Sequence, residues 1–266
     1  MSVQLLISAL EKNPAALWEQ MHIQSDAVLV NQCDSEGEEE TKRDDYSFRV
    51  VSMKERGVGL SRNTCLNHAT DDIVLFSDDD IVYDPEYAKK VEDAFAANPK
   101  ADIILFNVRV CEERRTYWNE DVHRVTKLNC GRYPAYSIAA KRESVEKAGV
   151  KFSLLFGGGA RYSNGEDSLF LTDCIRKGLR IYTTPVVLGE EVSNASTWFH
   201  GFSEKFFYDR GVLFAFLYPH SALLWAFRFV YLKSDIQSGE IGKSNAWKQI
   251  RSGIKEGKRL RKCSST

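Results

Sequence analysis

The chain has 266 residues, 43% of them hydrophobic and 27% charged, an ordinary globular composition that sets collagen-like and low-complexity chains aside. At roughly 100–200 residues per domain, that is one large domain, or one domain with an appendage. The 36 Lys and Arg against 37 Asp and Glu leave a net charge of −1, which disfavours nucleic acid as the main partner.

The chain opens Met1-Ser2-Val3-Gln4-Leu5-Leu6-Ile7, without the basic start and long apolar stretch of a signal peptide. Val3–Ile7, Ala27–Val30, Phe48–Met53, Ile73–Phe76 and Ile103–Val110 are apolar, β-rich runs. Such runs suit strands of a parallel sheet buried on both faces. Helices are expected between them over Pro14–Met21 and Leu60–Ala69. Another is expected from Pro85, with Asp84 as its cap, ending before Asn98-Pro99. This alternation predicts an α/β domain. Asp34–Asp45 holds seven acids and two bases and reads as a solvated loop between the second and third strands.

The six cysteines, Cys33, Cys65, Cys111, Cys130, Cys174 and Cys263, lie no closer than 19 residues apart. That spacing contains no Cys-x-x-Cys pair and predicts reduced, cytosolic thiols. Asn194-Ala195-Ser196 matches a glycosylation acceptor only as a chance tripeptide in that compartment.

Residues 211–232 contain seven aromatic residues in 22. Pro219, His220 and Arg228 interrupt a simple membrane span, so two helices broken at Tyr218-Pro219 are expected. They would pack on the domain or lie in a membrane interface. Residues 233–266 carry nine bases and three acids, a net +6, which leaves −7 on the rest. In this tail Trp247, Ile250 and Ile254 line up, but little follows, so its helical pattern is poor.

Three constellations carry chemistry. Asp78-Asp79-Asp80 follows a buried strand, where open α/β sheets bind ligands. Adjacent carboxylates there repel unless a cation sits among them, and hard divalent ions bridge carboxylates to phosphates. Taken alone, the triplet equally fits an acidic surface turn. Gly57-Val58-Gly59-Leu60-Ser61-Arg62-Asn63 opens a helix and could set N–H groups and Arg62 near a phosphate. Gly157–Gly165 is a glycine-rich loop leading into an apolar helix, Leu169–Ile175, closed by Lys177-Gly178. Glu166 and Asp167 sit at its start, where the helix dipole lowers a carboxylate's pKa. A base at that place needs burial or neighbouring acids to oppose the dipole. His200, among aromatics in Trp198-Phe199-His200, reads as a packed residue that becomes a candidate metal ligand if an ion lies near.

Gly59–Asn63, then Ser77–Asp80, then Gly165–Phe170 together resemble the family 2 glycosyltransferases with a GT-A fold, over about residues 3–190. Members that build capsule, exopolysaccharide or lipopolysaccharide chains are similar again in Ser196-Thr197-Trp198-Phe199 and the aromatic tail. The resemblance implies a mixed, mostly parallel sheet flanked by helices, with a GT-A catalytic domain over 1–200 and a helical, aromatic and basic extension over 201–266. It implies a nucleotide-sugar donor, a glycan or lipid-linked acceptor, and Mn²⁺ or Mg²⁺. Asp34 then matches the acid that binds the base. Asp78 is the first acid of the Asp-x-Asp motif, near the ribose and metal, with Asp79 beside it. Asp80 is the direct metal ligand, and Arg62 flanks the nucleotide. Asp167 matches the general base, with Glu166 orienting the acceptor or sharing that role, and attack opposite the leaving group inverts the anomeric centre. The turns Ser8–Asn13 and Asn31–Ser35 depart from the family pattern.

A nucleotidyltransferase is the rival enzyme class, but Ser8–Pro14 has none of its Gly-rich, basic signature. A non-catalytic subunit binding membranes or a synthase complex is opposed by the intact Asp78, Asp80 and Asp167. The expected location is the cytoplasm, at the inner face of the plasma membrane, through peripheral contacts of 211–266.

Overall fold

The computed structural model describes residues 1–112, 114–192, 201–232 and 241–263. Nine strands form one mixed sheet in the order β3-β4-β2-β1-β5-β8-β7-β9-β6. They are β1 (Val3–Leu10), β2 (Asp26–Gln32), β3 (Gly37–Arg43), β4 (Tyr46–Met53), β5 (Ile73–Asp78), β6 (Ile81–Tyr83), β7 (Ile103–Arg109), β8 (Ile138–Lys141) and β9 (Ile181–Glu191). Parallel pairing joins β4, β2, β1 and β5, and recurs between β7 and β9. The other described pairings are antiparallel, so the expected parallel character belongs chiefly to the N-terminal half.

Side chains alternate across the sheet. Leu5 and Ile7 of β1 face a layer containing Leu17 and Trp18 of α1 (Pro14–Gln20) and Tyr87, Val91 and Phe95 of α3 (Tyr87–Ala97). Leu6 faces the opposite layer, with Cys65 and Leu66 of α2 (Val58–His68), Val145 of α4 (Arg142–Ala148) and Phe170, Leu171 and Cys174 of α5 (Glu166–Arg176). Both faces are therefore covered, which is why the strand sequences read as continuous apolar runs.

Two local expectations fail. The acidic segment is not a loop throughout, because Gly37–Arg43 is an exposed edge strand, antiparallel to β4. Arg49 of β4 reaches across to Glu38 at 3.0 Å and Glu40 at 2.7 Å, so cross-strand charge pairing offsets the poor strand propensity of acids. Asp84 does not cap α3: the helix starts at Tyr87, after Glu86 in a left-handed conformation. Asp84 instead binds Arg109 and Lys90.

The extension forms α6 (Glu204–Leu217), α7 (Ala222–Phe227), a π-helical turn over Arg228–Leu232 and α8 (Gly242–Cys263). The break falls at Tyr218, as expected. The tail, however, is a 22-residue helix, and its apolar face is completed by glycine rather than by large side chains. A Cβ at Gly253 would overlap the Tyr208 carbonyl oxygen, and one at Gly211 that of Ile250. The glycines thus let α6 and α8 touch backbone to backbone, with Ala246, Ile250 and Ile254 buried. Val212, Leu213 and Leu217 of α6 pack on Phe156, Tyr162 and Leu169, so the extension is seated on the fold that precedes it. Among the described residues no helix is long and apolar enough to cross a membrane. The expected boundary at residue 200, the Ser196–Phe199 segment, Asn194 and His200 lie outside the described residues.

Candidate active site

A cleft of about 860 Å³ opens at the carboxyl ends of the central strands. Its walls come from the turn after β1 (Ser8–Lys12), Gln32 at the end of β2, Arg56–Val58 before α2, Asp78–Asp80 after β5, and Glu166 and Asp167 at the start of α5. These segments are far apart in sequence. Parallel strand order places their ends on one edge.

Three aromatic rings fix the two acidic groups relative to each other. Phe152 stacks on Phe170 of α5 with ring centroids 4.1 Å apart. Phe76 of β5 meets Phe152 edge-on at 5.1 Å and Phe170 at 5.8 Å. Phe76 is two residues before Asp78, and Phe170 is one turn after Glu166. The Asn63 side chain holds the Phe152 backbone at both its N–H (2.8 Å) and its carbonyl (2.9 Å), which ties α2 to the same floor.

Above the rings lies Arg62, buried at 4% exposure and 5.5 Å over Phe152. It donates to Asp78 Oδ1 at 2.8 Å and to Glu166 Oε1 at 2.9 Å. One guanidinium thus joins the strand acid to the helix acid by charge-assisted bonds. The resemblance put Arg62 beside a nucleotide; the structure gives it a second task, bridging the two acidic groups.

Asp167 sits next to this clamp and accepts a hydrogen bond from the Ser168 N–H at 2.6 Å. Burial, then the Glu166 charge, push its carboxyl above the usual range, against the Arg62 charge and that N–H. The condition set for a base at a helix start is met. The turn into α5 needs Gly165, whose φ is +108° and whose added Cβ would strike Leu213 of α6.

Asp80 is pushed up to about 7 by burial and by the charges of Asp78, Glu191 and Asp79, with Arg114 opposing. Arg114 pairs with Glu191 at 2.8 Å. Asp79 turns toward the first strand, taking the Leu10 N–H at 3.3 Å and lying 3.8 Å from Lys12. Asp34 stands apart from the acids that line the cleft. It lies beyond the end of β2 with a fully exposed side chain, 3.4 Å from Arg56, and is not part of the cleft wall. Arg56 also grips the Gln32 carbonyl and Glu11, so this rim is organised by an arginine the sequence did not single out. Glu191, Arg114, Lys12 and Tyr136 are likewise cleft residues without a local motif. Glu191 reaches the site because β9 pairs with β6, opposing it to Ile81; the apolar run ending in Glu190-Glu191 was the available signal.

Among the described residues no three His, Cys, Asp or Glu side chains converge closely enough to hold a metal ion by themselves. The donor set still fits a hard divalent cation. The Asp78 charge raises the charging cost of both Asp80 and Glu191, and Glu191 raises that of Asp80; oxygen ligands from a diphosphate and water would complete the shell.

The profile of glycosyl transferase family 2 matches residues 8–151, more than half of the chain. No curated protein matches. Among solved structures, Staphylococcus aureus TarS (residues 1–349) in complex with UDP-GlcNAc superposes with a TM-score of 0.60 at 14% identity. That match covers 96% of this chain and 72% of TarS 1–349. A mannosyltransferase from Pyrobaculum calidifontis, in complex with GDP-Man and Mn²⁺, gives 0.51 at 16% identity, covering 99% and 79%. At these identities the likeness is one of fold.

Proposed function

The chain belongs to glycosyl transferase family 2 and is a glycosyltransferase, and on that premise we propose that it moves a sugar, with inversion and metal dependence, from a nucleotide-sugar donor to a glycan or lipid-linked acceptor in surface polysaccharide assembly. The observation that carries the reading is a cleft lined by Asp78 and Asp80 together with Glu166 and Asp167, with the Arg62 clamp joining the two groups. UDP-GlcNAc in TarS and GDP-Man with Mn²⁺ in the mannosyltransferase support a nucleotide-sugar donor and a divalent ion.

The acceptor oxygen attacks the anomeric carbon, the bond from that carbon to the diphosphate breaks, and its electron pair leaves with the diphosphate. The acceptor proton passes to Asp167, whose raised affinity for protons suits a base working near neutrality. Arg62 holds Glu166 and Asp78 in place so that the base and the leaving group stand on different walls. Mn²⁺ or Mg²⁺, held by Asp78 and Asp80, would offset the charge that develops on the diphosphate. Arg56 and Lys12 line the same cleft and add positive charge near the phosphates.

Peripheral membrane attachment at the inner face of the plasma membrane fits the extension. Leu223, Leu224, Phe227 and Leu232 are exposed on α7 and the π turn, and Lys255, Lys258 and Lys262 are exposed on α8.

The test is nucleotide release over a panel of UDP-, GDP- and dTDP-sugars with and without Mn²⁺. Release of a nucleoside diphosphate from one donor class, stimulated by Mn²⁺ and lost in Asp80→Ala, is expected. Release of pyrophosphate would instead favour a nucleotidyltransferase, and no release from any donor a non-catalytic role.

A further inference from the structure

Arg210 of α6 is a second cation beside the site, half-buried and held by aromatic rings where Arg62 is held by carboxylates; both share one feature at Nε, which is buried with no hydrogen-bond partner. The Arg210 guanidinium lies 5.3 Å from the Phe206 ring centroid and 5.4 Å from that of Phe229. Among the described residues it forms no ion pair. Aromatic faces attract a cation but leave its N–H groups unused, and a buried N–H without a partner is costly.

Its position gives this a direction. Leu213, one turn further along α6 and on the same helix face, is the side chain against Gly165, just before Glu166 and Asp167. Asp209, the residue before Arg210, takes hydrogen bonds from the Ser163 N–H and hydroxyl, both at 3.0 Å. The loop that delivers Asp167 is therefore bolted to α6 on either side of Arg210. Burial weakens the guanidinium's hold on its proton, and the Asp167 charge opposes that. Arg210 is not part of the donor-sized cleft wall. An acceptor that gives its proton to Asp167 must extend away from the donor, and so away from Asp78–Asp80.

We propose that Arg210 is a specificity-determining residue of the acceptor subsite, where its guanidinium takes an oxyanion, phosphate or carboxylate, carried by the acceptor. This rests on the assignment of Asp167 as base. A planar guanidinium offers paired N–H donors that match either anion, and the two phenyl faces hold it flat for that contact.

The test uses the full chain and its Arg210→Gln and Arg210→Lys variants. Methyl phosphate and methyl glucuronide are titrated separately at constant ionic strength set with chloride, by calorimetry. UDP and GDP with Mn²⁺ are titrated in parallel. Saturable binding of one or both anions to the unmodified protein is expected. It should weaken about 10- to 100-fold in Arg210→Gln, the worth of a hydrogen bond to a charged group, and recover in part in Arg210→Lys. The anion that binds names the source. Nucleotide affinity should stay the same in all three proteins. Equal anion affinity in a folded Arg210→Gln, or no saturable anion binding to the unmodified protein, overturns the proposal. The second outcome is readable even if a variant fails to fold. Failure of both nucleotides to bind the unmodified protein would count against the donor assignment and not against Arg210.

Discussion

Arg62 has both of its charge partners inside the fold, so its removal strands two carboxylates at once. Arg62→Met is expected to cost about 3 kcal/mol of stability, the low end for breaking a buried pair because Asp78 is partly exposed. Urea denaturation checks this, and Arg62→Lys should recover only part, since a single ammonium cannot fork to Asp78 and Glu166. Asp80 behaves in the opposite sense. It sits among like charges, so Asp80→Ala should leave the melting temperature of the metal-free protein unchanged or higher while abolishing Mn²⁺-dependent donor binding. Unchanged Mn²⁺-dependent affinity in a folded Asp80→Ala protein would remove the metal assignment. Asp167→Asn should keep donor affinity and lower turnover roughly 10²–10⁴-fold. Because its carboxyl is raised and must be ionised to accept a proton, kcat/KM should fall on acidification from a pH above the ordinary carboxylate range. Glu166 contributes to that rise, so Glu166→Gln should move the acidic limb to lower pH. A limb that stays in place, or a greater loss of turnover in Glu166→Gln than in Asp167→Asn, would transfer the role of base.

At the scale of elements, the floor of the site is the aromatic trio that couples β5, the segment at Phe152 and α5. Phe76→Ala should destabilise by about 3–5 kcal/mol, as buried aromatic truncations do. It should also reduce turnover more than Mn²⁺ binding, because it loosens α5 against β5 while leaving Asp78 and Asp80 on one turn. Thermal unfolding alongside metal titration separates the two effects. The α6–α8 contact depends on absent side chains. Gly253→Ala places a methyl group on the Tyr208 carbonyl and is expected to cost about 1–3 kcal/mol, with faster proteolysis within α8 as the local readout. The charges that line the exposed edge strand β3 oppose edge-to-edge pairing with another chain, which is the physical use of a segment whose composition pointed to a loop.

For the molecule as a whole, the extension joins a catalytic fold to an amphipathic outer surface. Deleting α8 would uncover Ala246, Ile250 and Ile254 and is a poor probe of membrane binding. The sharper one is Lys255→Gln/Lys258→Gln/Lys262→Gln, three exposed charges worth about 1 kcal/mol each at an anionic surface. The unmodified protein should sediment with anionic vesicles at low salt, and the triple variant should sediment less. Equal recovery in the supernatant for both would leave the extension a purely structural element. Local chemistry alone determined the strand–helix rhythm, the Asp cluster at a strand end, the Glu-Asp pair at a helix start and the helix break at Tyr218. Each depends on residues within one element, where burial period, breaker residues and charge act directly. Tertiary structure alone decided the Arg62 clamp, the entry of Glu191 and Arg114 into the cleft, the exposed position of Asp34 and the burial that raises Asp167. These depend on which distant segments the sheet order brings together, and electrostatic energies change with burial and neighbours rather than with sequence separation. The helical tail belongs to the same class, because its glycines acquire meaning only against the backbone of α6.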